Sequence, residues 1–295
     1  MQRHEAVGVI GLGAMGSSAA RRLLSARREV VGHDVAAERV RMLAAEGMIE
    51  AQSVAEVVRR ADVILTLLPS VAALEVVVGE GLRDSARHGL TVVEMSTLPL
   101  EAKLWMRDEL APLGVVVLDC PISGTAAQAA QGDLAFYLSG DAQAAEGIRP
   151  VLATIGRSTH YVGEFGSGSK VKFAANLLVA IHNVAAAEAL VLAKAAGIDL
   201  DLALRVLTDG AGTSRMLEVR GPMMVAGRFT PATMPIRLFR KDLDIILEFA
   251  RALGSPTPLL ESANRIYEAA RDSGREEEDT GSVFAVLADL LEASS

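Results

Sequence analysis

A lysine set in a hydrocarbon helix is the residue in this chain best placed to move a proton. Lys172 and Asn176 stand in the run GSGSKVKFAANLLVAIHNVAAA, from Gly166 to Ala187. At i,i+4 on a helix both project from one face, one turn apart. Phe173 to Ile181 is otherwise almost wholly apolar, and a helix apolar all round is a buried one. Burying an unpaired ammonium is costly and disfavours its charged form. A lysine kept there is a candidate general acid and base. On the helix alone, a Lys172 that snorkels to water explains the pattern equally well.

The second chemical signal is glycine spacing. Gly11-Leu12-Gly13-Ala14-Met15-Gly16 follows a short β-branched run, Ala6–Ile10, and opens a helical stretch. In G-x-G-x-x-G, Gly11 permits the tight turn and Gly13 lets backbone amides approach a pyrophosphate. Gly16 lets the helix pack near the strand, and the helix N-terminus attracts the phosphate charge. The next strand, Glu29–Gly32, ends at Asp34. An acid there accepts hydrogen bonds from the ribose hydroxyls of NAD and repels the extra phosphate of NADP. Asp34 also suits an N-cap for the helix that begins near Ala36. Arg39 nearby would soften the preference, so the expected cofactor is NAD, with NADP possible.

The elements that must carry these groups follow from the alternation of patterns. Apolar strands are expected at 62–68, 91–95 and 115–118, with helices at 36–46, 53–60, 101–113 and from about Val71. Strands alternating with helices imply a doubly wound parallel sheet with helices on both faces, the Rossmann arrangement. Ligands then collect at the carboxyl ends of strands. That places Leu68-Pro69, Ser96-Thr97 and Cys120 to Thr125 along one cleft. Ser123-Gly124 offers a hydroxyl and unhindered amides that suit a carboxylate, though the turn alone also suits an ordinary loop. Strands at 134–139 and 159–162 finish a first domain, 1–165. The long helix, about 40 Å by its length, leads into a second domain, 166–295. That half is expected to be all-helical, with a sharp turn at Gly254 to Pro258 and a charged surface loop at 271–279. The pair Lys241-Asp242 lies in an amphipathic helix, where a solvated face is the default.

Composition narrows the classes further. The chain has 295 residues, 51% hydrophobic and 22% charged, with a formal net charge of −8. That balance suits a compact protein with a real core and disfavours a nucleic-acid-binding surface. A single cysteine, Cys120, allows no intrachain disulfide and fits a reducing compartment. Glycines interrupt the N-terminal apolar run, so no signal peptide is expected, and no stretch is expected to span a membrane. The expectation is a cytoplasmic protein with no metal site.

Four separated motifs, in order and at family spacing, resemble the β-hydroxyacid dehydrogenase family, and the resemblance covers nearly the full length. VGVIGLGAMGSSAARRLL is similar to its dinucleotide fingerprint. LDCPISGTAAQAAQGDLAFYLSG resembles its substrate segment, which implies that Ser123 and Gly124 hold the carboxylate, with the backbone near Thr125 beside them, and that Ser123 serves catalysis. GSGSKVKFAAN resembles its catalytic segment, with Lys172 at the catalytic lysine and Asn176 at the substrate-orienting asparagine. RKDLDIILEFARALGSPTPL is similar to its C-terminal motif and implies Lys241 near the cofactor and Asp242 near the substrate. The resemblance also implies cofactor contacts at Leu12, Ala14, Met15, Leu68, Pro69 and Thr97. It further implies a small carboxylate substrate and a homodimer or homotetramer built on the helical domain. The tail GREEEDTGSVFAVL looks most like the L-threonate dehydrogenase branch of this 3-hydroxyisobutyrate dehydrogenase-like group. Thr125, Ala175 and Met234 depart from common family residues at their positions; they leave the chemistry in place and bear on the substrate. Two other readings stay in view: an imine reductase or reductive aminase on the same scaffold, and a dinucleotide-binding protein without catalysis.

Overall fold

Short β-branched runs separated by helical stretches build the first half of the chain. The computed structural model describes residues 6–293. Strands β1 (Val7–Ile10), β2 (Val30–His33), β3 (Ile49–Glu50), β4 (Val63–Thr66), β5 (Thr91–Glu94) and β6 (Val116–Asp119) form one six-stranded sheet. Every pairing in it is parallel, in the order β3-β2-β1-β4-β5-β6. Successive side chains point to opposite faces. Val7, Val9, Val63 and Leu65 pack in one core with Ala19, Ala20 and Leu23. Ile10, Val31 and Ile64 pack in the other with Val57, Val58 and Leu74. Both faces are covered, which is why these strands read as unbroken apolar runs rather than alternating ones. The covering helices include α1 (Ala14–Ser25), α2 (Ala37–Ala45), α3 (Val54–Arg60), α4 (Val71–Val77) and α5 (Leu100–Leu110).

The strands expected at 134–139 and 159–162 form, but they do not extend this sheet. The chain leaves β6 at Pro121, which has no N–H to donate to a ladder. Strand β7 (Ile122–Ser123) then pairs antiparallel with β8 (Ala135–Leu138), and β8 pairs in parallel with β9 (Ser158–Tyr161) in a separate three-stranded sheet. Helices α6 (Ala126–Gln131) and α7 (Ala142–Ile155) connect these strands, in a stretch the sequence reading leaves unassigned.

Helix α8 (Ser167–Ala195) is 29 residues long. It starts inside the Gly/Ser stretch 166–169, where partners outside the helix satisfy its first amides. The expectation of burial all round fails. Lys172, Phe173, Asn176, Ala180 and Asn183 form a buried stripe, whereas Val171 and Leu178 are 38% and 51% exposed. By length and composition alone, α8 is the one helix among the described residues apolar enough to cross a membrane. Its longest run without a charged residue, 173–187, is shorter than the about 20 residues a membrane span needs, and several of its polar residues lie on the buried stripe. Asn183 there donates to Tyr267 Oη at 2.9 Å and to the Thr280 carbonyl at 2.7 Å.

The chain divides into two compact units, one through Lys172 and one from Phe173, so α8 runs through the division. The second unit is helical: α9 (Leu200–Asp209), α10 (Arg215–Ala226), α11 (Ile236–Ala252), α12 (Pro258–Asp272) and α13 (Val283–Ala293). The charged loop at 271–279 is not wholly on the surface. Asp279 is fully buried, 3.1 Å from Arg220 Nε. Its carboxylate also accepts from Thr233 Oγ1 and from the amides of Thr233, Met234 and Gly281. Burial pushes this carboxyl up, but Arg220 and these donors outweigh it, and the pKa falls below its ordinary 3.8.

A carboxyl depressed in the folded state stabilises it above the unfolded pKa, and that gain is lost as pH falls through the folded pKa. Asp279→Asn should therefore cost about 3–5 kcal/mol at neutral pH, the scale for breaking a buried pair. The deficit relative to wild type should narrow only below about pH 3.8. Urea titrations at several pH values measure it, and a deficit that is constant down to the acid limit would contradict the assignment.

Candidate active site

The glycine loop has the space its spacing suggests. Gly11 has φ +91°, and a Cβ on it would collide with the Leu67 carbonyl. A Cβ on Gly16 would strike the Gly11 carbonyl, so α1 rests directly on the turn. A Cβ on Gly13 would meet nothing within 4 Å. The backbone at Gly13 therefore faces open space, as close approach by a pyrophosphate requires. Helix α1 starts there with no side-chain cap and no acid in its first turn. Its N-terminal partial charge, about +0.5, is left for an anion. These residues fit a dinucleotide.

Asp34 closes the far side of this loop. Its Oδ2 accepts from the Leu12 amide at 2.6 Å and its Oδ1 from the Ala36 amide at 2.8 Å. Arg39 Nη1 lies 3.5 Å away and is exposed. The residue thus braces the glycine loop and the start of α2 together. The N-cap position of α2 is Ala36, which has no side-chain cap.

At the carboxyl ends of the neighbouring strands, Leu68 N donates to Ser96 Oγ at 2.7 Å, and Ser96 N donates to Glu94 Oε1 at 2.9 Å. Leu68-Pro69 is thereby tied to the segment that carries Thr97. Beyond β6, Ser123 ends β7, and Gly124 has φ +141°, a conformation that favours glycine. Thr125 caps α6 in a capping box: its amide donates to Gln128 Oε1, and its hydroxyl accepts from the Gln128 amide. Thr125 thus stiffens the turn that presents Ser123 and Gly124.

Behind these strand ends lies a buried ion cluster. Lys103, on α5, is fully buried, with Nζ 2.6 Å from Glu94 Oε2 and 2.9 Å from Asp119 Oδ1. Burial works against its charge, but the fields of Asp119 and Glu94 win and raise its pKa. The neighbouring Cys120 is buried, and burial followed by the Asp119 charge pushes its thiol well up. Cys120 is held as an inert thiol rather than a nucleophile. Asp119 Oδ2 accepts from Ser139 Oγ and from the Ser169 amide, and Oδ1 accepts from Ser169 Oγ.

Lys172 follows Ser169 on α8 and is 9% exposed; Asn176, one turn on, is 5% exposed. In the second unit Asn176 Nδ2 donates to Asp242 Oδ2 at 3.0 Å. Asp242 is itself 6% exposed, so the solvated face expected for this pair holds only for Lys241, which lies 3.2 Å from Asp242. No cluster of metal-ligating side chains occurs among the described residues.

Comparison with known proteins agrees with these features. Residues 6–163 match the NAD binding domain of 6-phosphogluconate dehydrogenase. Residues 166–287 match the NAD-binding family of NADP-dependent 3-hydroxyisobutyrate dehydrogenase. The L-threonate dehydrogenase of Cupriavidus necator is 36% identical over 95% of this chain and 95% of its own. The chain belongs to the β-hydroxyacid dehydrogenase family. It is an NAD(P)-dependent hydroxyacid dehydrogenase acting on CH–OH groups. The crystal structure of 3-hydroxyisobutyrate dehydrogenase from Salmonella typhimurium superposes with a TM-score of 0.86 at 33% identity, over 96% of this chain and 99% of that one. An imine reductase from Pseudomonas sp. has a TM-score of 0.59 at 19% identity, over 97% of this chain and 100% of that one; that likeness concerns the fold alone.

What sequence reasoning missed in this dehydrogenase is the cluster of Lys103, Glu94 and Asp119. One signal was available: two adjacent apolar strands each close on an acid. A carboxylate ending a buried parallel strand needs a partner, and Lys103 is the lysine on the next helix. Spacing alone does not show that α5 turns it inward.

Proposed function

We propose that this dehydrogenase interconverts a small hydroxy acid and the matching aldehyde or keto acid, with Lys172 as the proton carrier. The observation that supports this best is Lys172 itself, a buried lysine one turn before a buried asparagine. NAD(P), when bound, takes up or supplies the hydride. Gly11 to Gly16 would hold its pyrophosphate and Asp34 its ribose, with Leu68, Pro69, Thr97 and Lys241 as further contacts. The substrate carboxylate would rest on the Ser123 hydroxyl and the Gly124 backbone, in the turn stiffened by Thr125. In oxidation, the neutral Nζ of Lys172 accepts the substrate hydroxyl proton as the C–H bond gives up its hydride. In reduction, the protonated Nζ returns that proton to the carbonyl oxygen. Asn176, braced by Asp242, would orient the reacting oxygen.

On this reading residues 1–165 are the cofactor domain and 166–295 the substrate and dimerisation domain of a cytoplasmic homodimer or homotetramer. L-threonate, D-glycerate, 3-hydroxyisobutyrate, L-serine and 4-hydroxybutyrate, followed by NADH absorbance, form the test panel, with cyclic imines beside them. Turnover of the imines alone would replace the proposal with the imine reductase reading. NADH binding without turnover of any compound would replace it with the non-catalytic one.

Asp34 sets a further expectation. The ratio of kcat/KM for NAD over NADP should exceed one in the wild type. Asp34→Ser, which removes a charge facing the extra phosphate, should lower that ratio by about tenfold or more. A wild-type ratio below one would overturn the preference for NAD.

A further inference from the structure

We infer that Asp119 is a positioning residue for Lys172, acting through the first turn of α8; the inference rests on the acid–base reading of Lys172 given above. The first amides of a helix have no partner within it. In α8 two of them are met by side chains of other elements: Gly168 N donates to Ser139 Oγ at 2.9 Å, and Ser169 N donates to Asp119 Oδ2 at 2.8 Å. The Ser169 hydroxyl donates to the other oxygen of the same carboxylate, also at 2.8 Å. One carboxylate thus grips both the backbone and the side chain of one residue, which restrains rotation of the turn as well as its position. Lys172 stands three residues on, a rise of about 4.5 Å, and a continuous helix carries any displacement of Ser169 straight to it.

The grip has little slack. A Cβ on Gly168 would collide with the Tyr137 carbonyl and lie 3.1 Å from Asp119 Oδ2. Asp119 is itself held by Lys103 at 2.9 Å and by Ser139 Oγ at 3.1 Å. Asp119, Lys103, Glu94 and Ser139 are fully buried, and Ser169 is 1% exposed. A buried ion cluster is often no more stabilising than hydrocarbon of the same volume. What it adds is direction, through charge-assisted bonds to defined donors. Here those donors sit one turn before the proton carrier.

The test is a double-mutant cycle. Asp119→Asn keeps the volume but turns an amide donor or a weaker acceptor toward Ser169. Expected are a kcat lowered by about 10²-fold, the scale for a misplacement near 1 Å, and an NADH affinity, measured by fluorescence, that does not change. In a Lys172→Ala background the same substitution should leave the residual rate nearly unchanged, since coupled residues are not additive. An equal loss in both backgrounds, or no loss in the wild type, would overturn the positioning role alone. A Lys172→Ala enzyme with wild-type kcat would overturn the acid–base reading and this inference together. Should Asp119→Asn fail to fold, Ser169→Ala removes one of the gripping bonds. In the same cycle it should lower kcat by about 3–10-fold, as loss of one hydrogen bond would. Absence of that loss would overturn the inference.

Discussion

Replacing Lys172 with alanine is expected to lower kcat by about 10²–10⁴-fold, the usual contribution of a positioned general acid–base group. NADH affinity should stay at its wild-type value, because the glycine loop and Asp34 lie on other elements. The loss should appear in both directions of reaction, since one nitrogen takes the proton in oxidation and returns it in reduction. A small primary amine added to the variant should recover part of the rate, as it supplies the missing proton carrier. Steady-state kinetics with an NADH fluorescence titration decides the point. Wild-type kcat in the variant, or an equal fall in cofactor affinity, would refute the role.

Replacing Lys103 with methionine should destabilise the protein by about 3–5 kcal/mol, because it leaves two carboxylates buried without their cation. Glu94 and Asp119 end adjacent parallel strands and are paired in register, so their charges would face each other with no water between. Lys103 has a raised folded-state pKa. Its contribution is therefore complete below the unfolded pKa of 10.5 and is lost only as pH rises through the folded value. Guanidinium denaturation at pH 7 and pH 9 should show the same deficit, and a deficit under about 1 kcal/mol at both would show that the ion cluster contributes little net stability. Activity in the surviving folded fraction should fall too, since Asp119 would lose the group that holds it beneath α8.

The sheet was legible because its physics is local. Strands buried on both faces are apolar along most of their length, and the runs at 7–10, 63–65 and 92–93 are. The glycine loop was legible for the same kind of reason. Gly11 must take φ +91° and Gly16 must leave room for the Gly11 carbonyl, both within one turn, and those demands leave a fixed spacing in the sequence. The extra sheet of β7, β8 and β9 was less so: its strands are short and one pairs antiparallel, which no periodicity encodes. The burial of α8 was over-read, because hydropathy counts apolar residues and not the neighbours that cover them. Val171 and Leu178 are as apolar as Phe173 and Ala180, yet only the latter pair is buried.

By itself the sequence determined the longer strands, though not the two-residue β3 and β7, the dinucleotide loop, and the lysine and asparagine one turn apart, because each depends on residues close together in the chain. Tertiary structure alone decided which charges meet. Lys103 finds Glu94 and Asp119, Asp279 finds Arg220, and Asn176 finds Asp242 across separations that no local spacing records. A buried charge is tolerable only beside a partner, and that partner is chosen by how helices and strands stack, after the chain has folded.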